Sequence, residues 1–356
     1  MNTDIVQATR AYETWLSSHT RVVSADLRLK HVKMAESPFV FLRGTFYRWM
    51  QHWPALPEAL RGGPSVIAVG DVHVENFGTW RDAEGRLVWG ANDVDEACEL
   101  PYTQDLVRLA TSACLAMRQG HFALSNRVMC DAILEGYAAC LDRGHRPVVL
   151  GERNAWLRGI ALNRLRDPKG YWDKIRALPL AHGAVPDRTL RAALPSGVSD
   201  YHVHPRVAGV GSLGRERFVA TAEWAGGVVA REAKAWVPSG ALWAGATRRG
   251  DVADALLAQA IRASDSCFTV RKPWIVRRLA PDCSRIELAD LPEKRDERKL
   301  LRAMGWETAN MHGMAACRRI ARDLAARKGR WLLRAAGEMM DATIADWRVW
   351  KKVSRR

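Results

Sequence analysis

The sequence predicts an α+β protein in which a strand-rich segment interrupts a mainly helical chain. Three observations carry this. Apolar residues recur at helical spacing over Asp105–Arg118, Asn126–Leu141 and Gly151–Arg166, and again from Pro292, where Leu300-Leu301, Met304 and Ala309 open a long run. From Tyr201 to about Leu288 the pattern turns to short strands punctuated by Gly and Pro, with one helical insert at Asp251–Ala263. At the junction, Leu194-Pro195-Ser196-Gly197 breaks the helical pattern. The chain therefore divides into a helical lobe, residues 1–195, a strand-rich lobe, 196–290, and helices, 291–356, that return to the first lobe. At 356 residues, 48% hydrophobic and 26% charged, it can bury a substantial core and has the composition of a soluble globular protein.

Within the first lobe, Ser65 to Val69 is an apolar, strand-like run that ends at Gly70-Asp71. Phe77 to Ala91 reads as a hairpin turning at Asp82-Ala83-Glu84-Gly85, which returns the chain to Asn92-Asp93-Val94-Asp95. The strand and the hairpin are joined by Gly70-Asp71-Val72-His73-Val74-Glu75-Asn76. An aspartate, an asparagine five residues on and an acidic pair beyond a hairpin suit phosphoryl transfer. Asp71 would accept or orient the attacking hydroxyl, for which an ordinary carboxylate pKa suffices. Asn76 and Asp93 have the oxygen donors to hold magnesium, with Asp95 a third ligand or one acting through water. Singly, each carboxylate has a plainer reading as a turn cap, and only the combined spacing points to catalysis. His73 either orders this loop or faces the phosphates, and its plainer reading is a hydrogen-bonded structural histidine. Arg43, among the apolar residues of Phe41-Leu42-Arg43-Gly44, needs an anion beside it, a phosphate or a buried carboxylate.

In the strand-rich lobe, Gly209-Val210-Gly211-Ser212-Leu213-Gly214 is a GxGxxG run, which alone fits a dinucleotide site equally well. A dinucleotide loop opens into a helix, whereas here Glu216–Trp224 and Val228–Trp236 read as two strands joined at Ala225-Gly226-Gly227. Glycine-rich loop, strand, turn and strand with a cation is how kinases cover ATP. Gly209, Gly211, Ser212 and Gly214 are then the phosphate-facing residues. Lys234 is the chemically expected cation, while spacing from the loop slightly favours Arg231. Alternation along a strand puts the two on opposite faces, so one alone enters the cleft. The helical insert should supply this cation with an acidic partner, and it offers only Asp251 and Asp254. His202 and His204 share a strand face but have no third ligand nearby, so no metal site is expected there.

GDVHVEN resembles the catalytic loop of aminoglycoside phosphotransferase-like kinases, which read His-Gly-Asp-x-His-x-x-Asn, and NDVDEA resembles their metal-binding Ile-Asp-Phe-like segment. The wider run, Ser37-Pro38-Phe39 to Arg43-Gly44, then GDVHVENFG, NDVDEA and Asp105-Leu106-Val107-Arg108-Leu109-Ala110, is similar to an uncharacterised bacterial family, domain of unknown function 2252. That family is grouped with protein-kinase-like folds. The similarity covers most of the chain and is sharpest between residues 37 and 112. It implies a protein-kinase-like two-lobe fold, ATP and magnesium as cofactors, and an Asp105 that braces the catalytic-loop backbone, where the residues alone suggest a helix N-cap. Relatives often read Lys-Glu-Ala where this chain has Arg231-Glu232-Ala233. The glycine-rich loop comes about 140 residues after the catalytic loop instead of before it. Met304-Gly305-Trp306 and Ala309-Asn310-Met311-His312 resemble the helix that precedes the catalytic loop in phosphotransferases. A circular permutation reconciles this order, and the close termini of many domains make one physically cheap. Residues 207–236 and Phe268–Leu279 should then share one antiparallel sheet roofing Asp71, Asn76 and Asp93. Gly211 or Gly214 should lie within the span of a triphosphate, on the order of 10–15 Å, of Asp93. The helix carrying Met304 to His312 should lie beneath.

The expected activity is ATP- and magnesium-dependent phosphoryl transfer to a hydroxyl of a small molecule, slightly ahead of a protein. Nucleotidyl transfer and loss of catalysis with retained ATP binding are alternatives on the same fold. The rival from another class is a basic nucleic-acid-binding protein, and a dinucleotide oxidoreductase stands third. The net charge is +15, and residues 318–356 hold twelve Lys or Arg against four Asp or Glu. Trp331, Leu332, Leu333, Met339, Met340, Ile344 and Trp347 recur between those charges at helical spacing, which favours an amphipathic helix with a solvated basic face. Most of the fifteen Trp are expected in the core. Seven scattered cysteines without a Cys-x-x-Cys pair argue against disulfides and structural zinc. No apolar run approaches the roughly 20 residues of a membrane helix, and Met1-Asn2-Thr3-Asp4 does not read as a signal peptide, so a cytoplasmic location is expected.

Overall fold

The computed structural model describes residues 4–151, 153–161, 167–283 and 296–354. At 50% helix and 16% strand it is the mixed α+β protein that the sequence patterns predict. Residues 162–166, the end of one expected helix, and 284–295, where strand was to give way to helix, lie outside the described residues.

The chain opens with five helices: α1 (Ile5–Ser17), α2 (Ser24–Glu36), α3 (Pro38–Gly44), α4 (Phe46–His52) and α5 (Glu58–Arg61). Ser37 sets the start of α3 by accepting the Val40 N–H at 3.2 Å, with Pro38 at the first helical position, where its missing N–H costs nothing. Strand β1 (Ser65–Ala68) follows and pairs antiparallel with β4 (Cys98–Pro101). Between them lies the predicted hairpin, β2 (Phe77–Arg81) and β3 (Leu87–Ala91), which β5 (Val148–Val149) extends. Asp82 shapes its turn by accepting the N–H groups of Glu84 and Arg86 at 3.0 and 2.9 Å.

Helix α6 (Thr103–Met117) is buried all round, and α7 (Asn126–Arg143), α13 (Glu297–His312) and α15 (Trp331–Val353) pack about it. Gly136 of α7 and Gly305 of α13 lie where the two helices cross. A Cβ on Gly136 would stand 1.8 Å from the Arg302 carbonyl oxygen, and one on Gly305 2.1 Å from that of Ile133. Only glycine lets the two backbones come this close. After α7 come α8 (Ala155–Ala161), α9 (Pro168–Arg176) and α10 (Asp187–Ala193).

The strand-rich segment forms one antiparallel sheet, β6 (His202–Pro205), β7 (Arg217–Trp224), β8 (Gly227–Ala235), β10 (Trp274–Leu279) and β9 (Thr269–Arg271), in the spatial order β6-β7-β8-β10-β9. The hairpin of residues 217–235 does join the 269–279 segment in one sheet. On one face, Ala233, Phe218 and Val276 pack against Leu190 of α10. On the other, Val219, Ala230 and Leu279 pack against Tyr171 and Ile175 of α9.

Helices α11 (Gly240–Trp243) and α12 (Ala253–Gln259) lead from β8 to β9, and α14 (Cys317–Ala326) lies between α13 and α15. The expected insert is thus shorter than Asp251–Ala263. It packs on α13 and β1 instead of on the strand cation, and Asp251 pairs with Lys272. Six of the fifteen Trp are buried and Trp156, Trp172, Trp274, Trp306 and Trp347 pack against the core clusters, so most are core as expected, while Trp224 is exposed. Indole N–H groups draw several toward polar partners at the rim, as when Trp306 donates to the Arg146 carbonyl at 3.2 Å. All seven cysteines are free. Among the described residues no helix is long and apolar enough to cross a membrane.

Candidate active site

The loop after β1 is built by one face of α6. Asp105 accepts the N–H groups of Val69 at 2.7 Å and Gly70 at 3.0 Å, Gln104 donates to the Gly70 carbonyl at 3.1 Å, and Ser112 accepts the Val74 N–H at 3.0 Å. The bracing role for Asp105 therefore holds and the N-cap alternative does not. His312, at the end of α13, stands 3.1 Å from Asp105, and its other ring nitrogen is 2.7 Å from the Tyr137 hydroxyl. With the carboxylate as acceptor, Nε2 carries the proton and Nδ1 accepts from Tyr137. The helix beneath the loop is thus tied to it by a buried hydrogen-bond chain. Gly70 turns the chain at φ +80°, where a Cβ would lie 2.1 Å from the Glu96 carbonyl oxygen.

Beyond that turn, Asp71 faces a cleft of about 50 Å³ that is also lined by Arg43, His73, Glu75, Asn76, Asp93, Asp95, Glu96, Gly209, Val210, Gly211, Ser212 and Arg215. The cleft gathers both carboxylate-bearing loops and the glycine-rich turn. A Cβ placed on Gly211 would stand 3.7 Å from Asp71 Oδ2. The turn passes through a short 3-10 segment, Val210–Ser212, into strand β7 and opens no helix, which removes the dinucleotide reading. Lys30, buried on α2, donates to the Gly211 carbonyl at 3.1 Å, and burial lowers its ammonium pKa to about 8. Gly214 departs from its expected role: at φ +97° it lies behind the turn against Leu27 and does not line the cleft.

Three ion pairs set the electrostatics. Arg108, with no exposed surface, donates to Asp71 from Nε at 2.8 Å and again from Nη2, and its guanidinium lies over the rings of Phe46 and Trp49. Burial nonetheless outweighs Arg108 and raises Asp71 to about 6. Arg43 meets Glu75 at 2.5 Å, the carboxylate alternative foreseen for it. Lys234 stands between Asp93, 3.1 Å from both oxygens, and Asp95. Burial alone would raise Asp93, but Lys234 holds it well below the usual carboxylate range, while burial and the Asp93 charge push Asp95 up to about 7.

Arg231 is not the cation of the cleft. It donates to the Ala193 carbonyl at 2.8 Å on the far face of β8, while Lys234 and Glu232 share the near face. Alternation along β8 decides between the two: Arg231 pairs with Ala220 and Arg278 on the face that α10 covers, and Lys234 lies on the opposite face, toward Asp93. Asn76 spans the two loops: Nδ2 donates to the carbonyls of Asp71 at 3.1 Å and Asp93 at 2.9 Å, and Oδ1 accepts the Asp93 N–H at 2.8 Å. One lone pair of Oδ1 is thereby used and the other left for a ligand. The His73 ring accepts the Glu75 N–H at 3.2 Å, which fits the loop-ordering reading. His204 is committed to the Leu178 and Pro179 carbonyls and to Thr221.

Sequence reasoning missed Arg108, Glu96, Arg215 and Glu232. Arg215 bridges Asp95 at 3.3 Å and Glu96 at 3.1 Å, joining the glycine-rich turn to the loop that carries Asp93. Glu232 sits among Arg206, Arg217 and Arg277; burial would raise it, but the three guanidiniums hold it well below the ordinary range. The available signal was a charge inside an apolar run, as at Arg108. Among the described residues, no three His, Cys, Asp or Glu side chains form a ready metal cage.

Residues 21–161 match the model of a family described as an uncharacterized protein conserved in bacteria (DUF2252). The matched stretch holds the Asp71 and Asp93 loops and α6, but neither the glycine-rich turn nor Lys234. No curated protein and no solved structure matches the chain.

Proposed function

We propose that this protein is an ATP- and magnesium-dependent phosphotransferase of circularly permuted, protein-kinase-like architecture, acting on a hydroxyl of a small molecule or a protein. The observation that carries this reading is the convergence of Gly209–Ser212 with Asp71, Asn76 and Asp93 around one cleft, although well over a hundred residues separate them. Asp71 takes the hydroxyl proton, and a carboxylate raised to about 6 is ionised at neutral pH and still a usable base. The glycine-rich turn covers the phosphates and Lys234 pairs with them. An all-oxygen donor set, Asp93, Asp95 and the spare lone pair of Asn76, fits a hard divalent cation. Magnesium, when bound, neutralises the charge of the phosphates.

The cleft itself is smaller than a nucleotide. A neighbouring cavity of about 770 Å³ shares Arg43, Gly209 and Val210 with it and also presents Arg206 and Arg277, so it has the room and the charge for the rest of the molecule. The test is to incubate the protein with labelled ATP, magnesium and a metabolite extract and follow the label. Transfer that vanishes in Asp71→Asn supports the reading, and absence of magnesium-dependent ATP binding by the wild type overturns it. One observation favours a second reading, nucleotide binding without transfer: Arg108 neutralises Asp71, and Lys234 occupies the space between Asp93 and Asp95. ATP binding without label transfer to any acceptor distinguishes it.

A further inference from the structure

A second cavity, of about 820 Å³, lies between the β5–α8 region and α13 and shares no lining residue with the cleft around Asp71. Its size is that of a small-molecule site, commonly about 300–1,000 Å³. Two features set its chemistry. The interior is apolar, with Val149 and Leu157 on one wall and Ala303 on the other. Around it stand Arg146 and Arg153 on the first wall and Lys299 and Arg302 on the second, and no Asp or Glu lines it among the described residues. A further cation, Arg86, is engaged with Asp82, and Lys299 has Asp296, the residue before α13, at 2.9 Å.

Trp156 and Trp306 complete the lining. The walls are fixed in place: the Arg146 carbonyl accepts from Trp306 Nε1 at 3.2 Å and from Asn310 Nδ2 at 2.9 Å, and the Arg146 guanidinium lies 5.8 Å from the Trp306 ring centre. Asn154, held at φ +61°, donates to the Val149 carbonyl at 3.0 Å and closes the loop that leads into α8. Arg146, Arg153 and Lys299 are exposed and Arg302 is half-buried, so they form a solvated basic rim around the apolar hollow, and the summed field of such a rim favours an anion at the mouth. Flat indole faces beside those cations favour a ligand whose body is apolar and ring-shaped.

We infer that this cavity binds an organic anion, an apolar and preferably aromatic body that carries a carboxylate or phosphate head, at a site separate from the proposed phosphotransferase cleft. The head meets Arg146, Arg153 and Arg302, and the body lies on Val149, Leu157 and the two indoles. The test is calorimetric titration of the full chain at low salt with 2-naphthoate, its neutral analogue 2-naphthylmethanol, and inorganic phosphate. Naphthoate is expected to bind one per chain, at least about tenfold more tightly than either of the others. Arg153→Glu and Arg302→Glu, both folded as judged by circular dichroism, should each weaken it about tenfold or more, and Trp306→Leu should weaken it as well. Asp71→Asn should leave it unchanged. The inference fails if wild-type protein does not bind naphthoate, if both charge reversals leave its affinity intact, or if Asp71→Asn abolishes it, which would put the probe in the other cleft.

Discussion

Asp71 has two neighbours that pull in opposite directions, and the balance can be measured. Burial raises it to about 6 although Arg108 touches it, so the acid limb of the kcat/KM profile should have its midpoint near pH 6. Below that pH the base is protonated and the rate falls; above it the rate holds. Asp71→Asn should lower kcat by roughly 10²–10⁴-fold, the usual worth of a positioned base, and leave magnesium-ATP affinity close to wild type. Unchanged turnover would remove Asp71 from the chemistry. Asp93→Ala should abolish magnesium-dependent ATP binding in calorimetry, because the phosphate charge then lacks its counter-ion. Lys234→Ala should raise the apparent KM for ATP while Arg231→Ala changes it little, given that Arg231 points to Ala193. Asp71, Asn76 and Asp93 were legible as a group because their spacing is fixed by one loop and one hairpin. Arg108 and Glu232 were not, since what a buried charge pairs with depends on which distant strands and helices meet.

Helix α13 ties several elements together, and its glycine and its buried glutamate can be tested apart. Gly305 meets the backbone of α7, so Gly305→Ala forces the helices apart and should cost about 1–3 kcal/mol in denaturant unfolding. Glu307, two residues on, accepts from Ala91 N–H at 3.2 Å and Asn310 Nδ2 at 3.0 Å, and burial raises it from 4.5 to about 7. A carboxyl raised in the folded state stabilises fully below its unfolded value and loses that contribution as pH rises through the folded one. Stability from this group should therefore decline between about pH 4.5 and 7, and Glu307→Gln should flatten that decline. An unchanged pH slope in the variant would show that Glu307 is ionised in the folded protein. The hairpins and the long helices were readable from alternation and helical spacing. The length of α12 and the side of the molecule on which it packs were not, because its short apolar pattern says nothing about which partner it will cover.

At the scale of the whole molecule, the charge excess and the cleft make separable demands. Arg318, Arg319, Arg322 and Arg334 are exposed on α14 and α15, while Ile320, Leu332, Ala335 and Met339 face inward, as the amphipathic reading required. Any association with nucleic acid through that ridge should fall steeply with added salt and be indifferent to Asp71→Asn, and filter binding across a salt series would show it. The meeting of the two segments at the cleft was expected from the chemistry they share. The contacts that bring them together, α2 and α3 against the turn and Arg215 with Asp95 and Glu96, were not legible, because they depend on packing between distant parts of the chain. The polar face of α6 has a consequence for motion. Val69, Gly70 and Val74 give their amide hydrogens to side chains of one fully buried helix, whereas the amides of the turn at 209–212 rest on its own short 3-10 bonds. That turn is held otherwise through the Gly211 carbonyl by Lys30 and through Ser212 Oγ by Arg217. The first three amides should therefore exchange with deuterated solvent only when the protein opens globally, at a rate that nucleotide changes no more than it changes overall stability. The turn should exchange readily and become protected when magnesium-ATP is added. One wall of the cleft would then be a fixed anvil and the other the part that closes.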